Sequence, residues 1–116
     1  QRQMCIRDRA GKVAVVAQDA DLAACQRIVE GTQEMTVYKP IEQEANTAAE
    51  FAVALGKGED ITSGEGEYKA VETFNDGTYD IPYYKIDPIA VTAENMDKVI
   101  IDGGFHTRED VYLNIR

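Results

Sequence analysis

Val13-Ala14-Val15-Val16-Ala17-Gln18-Asp19-Ala20-Asp21 opens the stretch whose reading decides the fold, and Met35-Thr36-Val37-Tyr38-Lys39 closes it. The small and β-branched residues from Val13 to Ala17 read as a strand buried on both faces, as in a parallel sheet. Directly after them, Leu22, Cys25, Ile28 and Val29 recur at helical spacing, and Gly31 supplies a stop. Residues 35–39 read as a second strand. Two strands joined through a helix make a β-α-β unit, because parallel neighbours need a crossover connection.

Beyond this unit, Pro40 suits the first turn of a helix, where a missing N–H costs little. Ile41, Ala45, Ala48, Ala49, Ala52 and Leu55 then form one apolar stripe over 41–55, ended by Gly56-Lys57-Gly58. Residues 58–68 are rich in Gly and acids and read as a loop. Val71 to Phe74 and Tyr79 to Ile86 read as extended segments around the turn Asn75-Asp76-Gly77, with Pro82 placing the second at an edge or a strand start. Asp87-Pro88 breaks the pattern. Thr92 caps a short helix through Val99, with Ala93, Met96 and Ile100 on one face. Asp102-Gly103-Gly104 is a turn, and Thr107 caps a last helical turn at 108–110. The class is α/β with a mainly parallel sheet. Two or three strands leave exposed the faces that parallel sheets bury, so the expectation is a fragment of something larger.

The 116 residues carry a net charge of −9, with 21 acidic against 12 basic residues. That disfavours nucleic acid, whose phosphates need a basic footprint, and anionic membrane surfaces. The longest apolar runs fall well short of the ~20 residues of a spanning helix. Residues 1–9 hold Arg2, Arg7 and Arg9, follow neither helical nor strand periodicity, and read as a non-native tail resembling translated adaptor sequence. A natural N-terminal arm is the alternative. Of the two cysteines, Cys5 lies in that tail and Cys25 on an apolar helical face, so the default is a buried thiol with neither a disulfide framework nor metal spacing.

Ligands of open α/β sheets bind at the carboxyl ends of the strands. Asp19 follows the first strand and Lys39 ends the second, so both can point to one rim. A carboxylate accepts from sugar hydroxyls and an ammonium donates to a hydroxyl or ring oxygen. The plainer reading stays open: Asp19 or Asp21 caps the helix, and Lys39 is a solvated strand end. Other constellations are weak. His106 is the sole histidine and reads as a surface or satisfied polar residue, so no His-based metal site or triad can be assembled. The acidic loop lacks a calcium-loop pattern, and Gly64-Glu65-Gly66 lacks the spacing of a phosphate loop. Tyr79, Tyr83 and Tyr84 read as packing residues. Neither a cofactor nor a metal is expected, and no base or nucleophile set suggests an enzyme.

The run Gln18-Asp19-Ala20-Asp21-Leu22-Ala23, then Arg27-Ile28, Gly31-Thr32-Gln33 and Met35-Thr36-Val37-Tyr38-Lys39-Pro40-Ile41, resembles periplasmic sugar-binding proteins of the D-xylose-binding type. The tail Asp102-Gly103-Gly104-Phe105-His106 resembles their C-terminal signature, usually written with one Gly. The resemblance runs with gaps from about residue 12 to 114. It implies a type I periplasmic-binding-protein fold of two Rossmann-like lobes joined by three crossing strands, with the sugar in the cleft. The family's sugar-contacting Asp and Lys fall on Asp19 and Lys39. Residues 10–39 would belong to the C-terminal lobe and 40–86 would pack on the N-terminal lobe. Residues 87–116 would form the last hinge crossing and the tail. The loop 57–77 is longer and more acidic than the pattern, and the family's stacking Trp has no counterpart, since the chain holds no Trp.

The function implied is the substrate-binding component of an ABC sugar importer, in the periplasm or lipid-anchored at the surface of a Gram-positive cell. Its partners would be a monosaccharide such as D-xylose, the importer's permease, and as a further candidate a chemoreceptor. The competing reading is the effector-binding domain of a sugar-responsive transcriptional regulator, which shares this fold. An enzyme ranks third.

Overall fold

A computed structural model describes residues 12–62, 70 and 72–115. The acidic loop beyond Thr62, the segment 1–9 and Cys5 lie outside the described residues. The elements run β1 (Val16–Gln18), α1 (Leu22–Val29), β2 (Met35–Tyr38), α2 (Ile41–Gly56), β3 (Glu72–Asn75), β4 (Asp80–Tyr83), β5 (Ile89–Val91), a π-helical segment (Asp97–Ile101) and α3 (Arg108–Val111). They divide into two compact units, one of residues up to 39 together with those from 88 onward, the other Pro40–Asp87.

The first unit is a three-stranded sheet of order β1-β2-β5. β1 and β2 are parallel, with Ala17 opposite Thr36 and Gln18 opposite Val37. The crossover is α1, started by the Asp21 carboxylate, which accepts from the Ala24 N–H. It ends before Gly31, whose φ of 77° only glycine adopts without cost. The second neighbour departs from a mainly parallel sheet. β5 runs antiparallel to β2, with Tyr38 opposite Ile89 and Thr36 opposite Val91, because the chain leaves at Lys39 and returns at Pro88 beside the end it left from.

β1 is also shorter than residues 13–17 suggest, and it is not buried on both faces. Among the described residues it is an edge strand with β2 as its one partner, and Val13 and Val16 are exposed. The core lies elsewhere in the unit. Ala20, Cys25, Ile28, Val91, Met96, Ile100 and Val111 are buried together there, with Leu22, Tyr38 and Phe105 packed against them.

The helix expected from Thr92 begins later. Asn95 folds its amide back, accepting from the Thr92 N–H and donating to the Ala90 carbonyl. That local bonding competes with helical bonding, and the helix proper starts only after Met96, in π geometry. Gly103 then passes so close to Val99 that a Cβ would stand 2.5 Å from its carbonyl oxygen. Gly104 takes φ 73°. This double-glycine turn sends Phe105 and His106 back toward β2 and α1. Thr107 caps α3 by accepting from the Asp110 N–H.

The second unit holds α2 and the antiparallel β3–β4 hairpin, in which Pro82 pairs with Thr73. Among the described residues its strands have one neighbour each, which is where a proline without an N–H is tolerated. Asp76 shapes the turn by accepting from the Thr78 and Tyr79 N–H groups. The apolar stripe of α2 is exposed at Ile41, Ala45, Ala48, Ala49, Ala52 and Leu55; among the described residues of this unit, only Thr47 and Ala70 are buried.

Candidate functional site

The carboxyl ends of β1 and β2 lie side by side, and the two charged residues beyond them meet. Lys39 Nζ stands 2.7 Å from Asp19 Oδ1, with side chains 44% and 60% exposed. An ion pair this open to water contributes only about 0–1 kcal/mol. It therefore adds little to the fold, and both groups can exchange it for other partners at small cost.

The backbone beneath the pair is unusual. The Asp19 N–H continues the ladder, donating to the Val37 carbonyl at 2.7 Å. Asp19 and Ala20 then both take positive φ, 79° and 49°. The left-handed region costs about 1–2 kcal/mol per residue other than Gly, less for Asp with its short polar side chain. Surrounding hydrogen bonds offset that cost. The Ala20 N–H donates to Thr36 Oγ1 at 3.2 Å, and its carbonyl accepts from His106 Nε2 at 2.9 Å and Cys25 Sγ at 3.4 Å. Ala20 and Thr36 are wholly buried. On the Lys39 side, the Tyr38 ring packs on Phe105 with centroids 4.9 Å apart.

Sequence reasoning named Asp19 and Lys39, and these two come together. Asp21 is the helix cap, so the capping and rim roles fall on different aspartates. His106 is a satisfied polar residue, but its partner is the turn that carries Asp19. Thr36 had no sequence signal beyond its place in a strand. Cys25 is free, and burial, with the Asp21 charge adding to it, pushes its thiol up to about 11. Of the tyrosines, Tyr79 is exposed, Tyr83 donates to Glu72, and Tyr84 bonds Gln43. Among the described residues no three His, Cys, Asp or Glu side chains gather to hold a metal, and no helix is long and apolar enough to cross a membrane.

No family model matches the chain. Curated relatives do. It is 51% identical over 102 residues to the D-xylose-binding periplasmic protein of Haemophilus influenzae, covering 88% of this chain and 29% of that one. It is 48% identical over 101 residues to the D-xylose-binding periplasmic protein of Escherichia coli, covering 87% and 28%. The chain thus spans less than a third of the length of the curated relatives it matches. Among solved structures, a carbohydrate-transporter solute-binding protein from Chloroflexus aurantiacus in complex with D-glucose superposes with a TM-score of 0.70 and 32% identity. That match covers 84% of this chain and 26% of that one. The chain is a relative of these sugar-binding proteins and has part of the type I periplasmic-binding fold.

Proposed function

We propose, from this kinship to D-xylose-binding periplasmic proteins, that the chain is part of the substrate-binding component of an ABC sugar importer. D-xylose or a related aldose is the ligand, and Asp19 and Lys39 contact it. The carrying observation is the exposed pair itself, a carboxylate and an ammonium 2.7 Å apart beyond two adjacent parallel strands. A sugar replaces that weak contact with charge-assisted hydrogen bonds: the carboxylate accepts from two hydroxyls and the ammonium donates to a third oxygen. The aim of the carboxylate is set before the sugar arrives, so little ordering entropy is lost on binding. The protein binds rather than catalyses, works in the periplasm or at the cell surface, and hands its sugar to a permease. Residues 10–39 and 87–116 belong to one lobe of the complete protein and 40–86 to the other. The division of the chain at Lys39 and Asp87 supports this reading.

The test is a thermal-shift panel of pentoses and hexoses on the polypeptide of the complete reading frame. Stabilisation by D-xylose above D-glucose and D-ribose at equal concentration is the expected result. A larger shift with glucose or ribose would overturn the xylose assignment, and no shift with any sugar would overturn sugar binding itself.

A further inference from the structure

The turn that carries Asp19 is held from far along the chain. Residues other than Gly keep positive φ only where their surroundings over-determine it, and here that means the bonds on Ala20. Its N–H is fixed by a neighbour in the sheet, Thr36. Its carbonyl is fixed by Cys25, a weak donor at 3.4 Å, and by His106 at 2.9 Å. The imidazole is the stronger of the two. A carbonyl oxygen only accepts, so Nε2 carries the hydrogen. His106 is 86 positions from Ala20 and reaches it because the Gly103-Gly104 turn folds the tail back. Without this bond the turn is left to the Thr36 and Cys25 contacts, a weaker hold against relaxation toward the ordinary right-handed region. The Asp19 carboxylate would turn away from Lys39 with it.

We infer that His106 is a positioning residue for sugar recognition: by donating to the Ala20 carbonyl it keeps the 19–20 turn left-handed and so aims the Asp19 carboxylate. The inference rests on the reading that Asp19 contacts the sugar. It accounts for a histidine that neither the core nor the rim needs for its own sake.

The test uses the complete protein with His106→Gln and His106→Asn. The glutamine amide nitrogen reaches about where Nε2 stands, whereas that of asparagine stops short. Calorimetry with D-xylose should find His106→Gln within about threefold of wild type and His106→Asn weakened about tenfold, the loss of roughly one hydrogen bond. His106→Asn also loses a bond to a buried carbonyl, so its unliganded melting temperature should lie below that of His106→Gln, and a second background is needed to separate aim from stability. In an Asp19→Gly background, where glycine accepts the positive φ but no carboxylate remains to be aimed, His106→Asn should change affinity less than about twofold. Equal affinities for the Gln and Asn variants, or an undiminished loss in the Asp19→Gly background, would overturn the inference alone. A wild-type protein that binds no aldose would overturn the sugar-binding reading and the inference with it.

Discussion

Replacing Asp19 changes two things at once, because its side chain sits on a backbone with φ 79°. Asp19→Ala removes the carboxylate and also places a strained alanine in the turn. Asp19→Gly removes the carboxylate and relaxes the turn. If the carboxylate is what binds, both should weaken sugar binding in the complete protein by several kcal/mol, since each charge-assisted hydrogen bond is worth about 1.5–3 kcal/mol. Calorimetry that finds Asp19→Gly near wild type would assign the effect to the backbone instead. Lys39→Met should weaken binding as well. Asp21→Asn is the control, because an asparagine caps a helix as well as an aspartate, and its affinity should stay near wild type. Cys25 gives a second prediction. Its raised pKa means that the folded protein holds the thiol proton more tightly than the unfolded chain, whose value is 9.0. The associated stability is fully present below pH 9 and is lost as pH rises toward about 11. Chemical denaturation of the complete protein across that window should show the fall, and Cys25→Ser should flatten it. At neutral pH a disulfide reagent should leave the folded thiol unmodified; rapid labelling would contradict its burial.

The tail turn shows how much a short element depends on one atom. Gly103→Ala would drive a Cβ to 2.5 Å from the Val99 carbonyl, a backbone atom that cannot swing aside. The displacement should cost about 1–3 kcal/mol. Gly104→Ala meets no atom and only occupies φ 73°, at about 1 kcal/mol. Thermal melts of the two variants in the complete protein should therefore rank Gly103→Ala lower; the reverse order would mean that the tail relaxes. The same elements show what a sequence reveals. α1 was legible because two signals agree on it, the spacing of Leu22, Cys25 and Ile28 and the stop at Gly31, while the choice of Asp19 or Asp21 as its cap stayed open. That Asp19 and Lys39 share one rim was legible because charge falls where two short strands end; that they pair with each other was not. The burial of β1 was not, because a run of valines looks the same whether a second sheet neighbour or water lies beside it. The late, π-helical start after Met96 was hidden by Asn95, whose amide bonds backward to Ala90 and Thr92 in a way no periodicity records. The role of His106 was hidden for a different reason. Its partner is a main-chain carbonyl 86 residues away, and every residue has one.

On the scale of the chain, apolar burial is lopsided. Among the described residues, eight of the buried hydrophobic residues, from Ala20 to Val111, belong to the unit built on β1, β2 and β5, whereas the unit of 40–87 contributes Ala70. That second unit displays Ile41, Val53, Leu55, Phe74, Tyr79 and Ile81 to solvent. A helix and a two-stranded hairpin with so little buried between them cannot offset the conformational entropy of ordering some fifty residues at about 1–2 kcal/mol each. Apolar surface of this extent marks a face that something covers. On the proposed reading, in which 40–86 packs on the other lobe, that role would fall to sequence that the longer relatives have and this chain does not. Hydrogen exchange on the isolated 116-residue chain separates the two units. Amides of β2 and α1, bonded in the sheet and around the Ile28 core, should be the best protected. Those of α2 and the β3–β4 hairpin should exchange at nearly the rate of an unstructured peptide, and calorimetry with D-xylose should register no saturable heat. In the complete protein the α2 amides should become protected, and xylose binding should appear. Strong, cooperative protection of α2 and the hairpin in the isolated chain would show the second unit to be self-sufficient and its exposed face to be a surface rather than an uncovered core. Saturable xylose binding by the isolated chain would mean that Asp19, Lys39 and their neighbours suffice to hold a sugar without the rest of the protein.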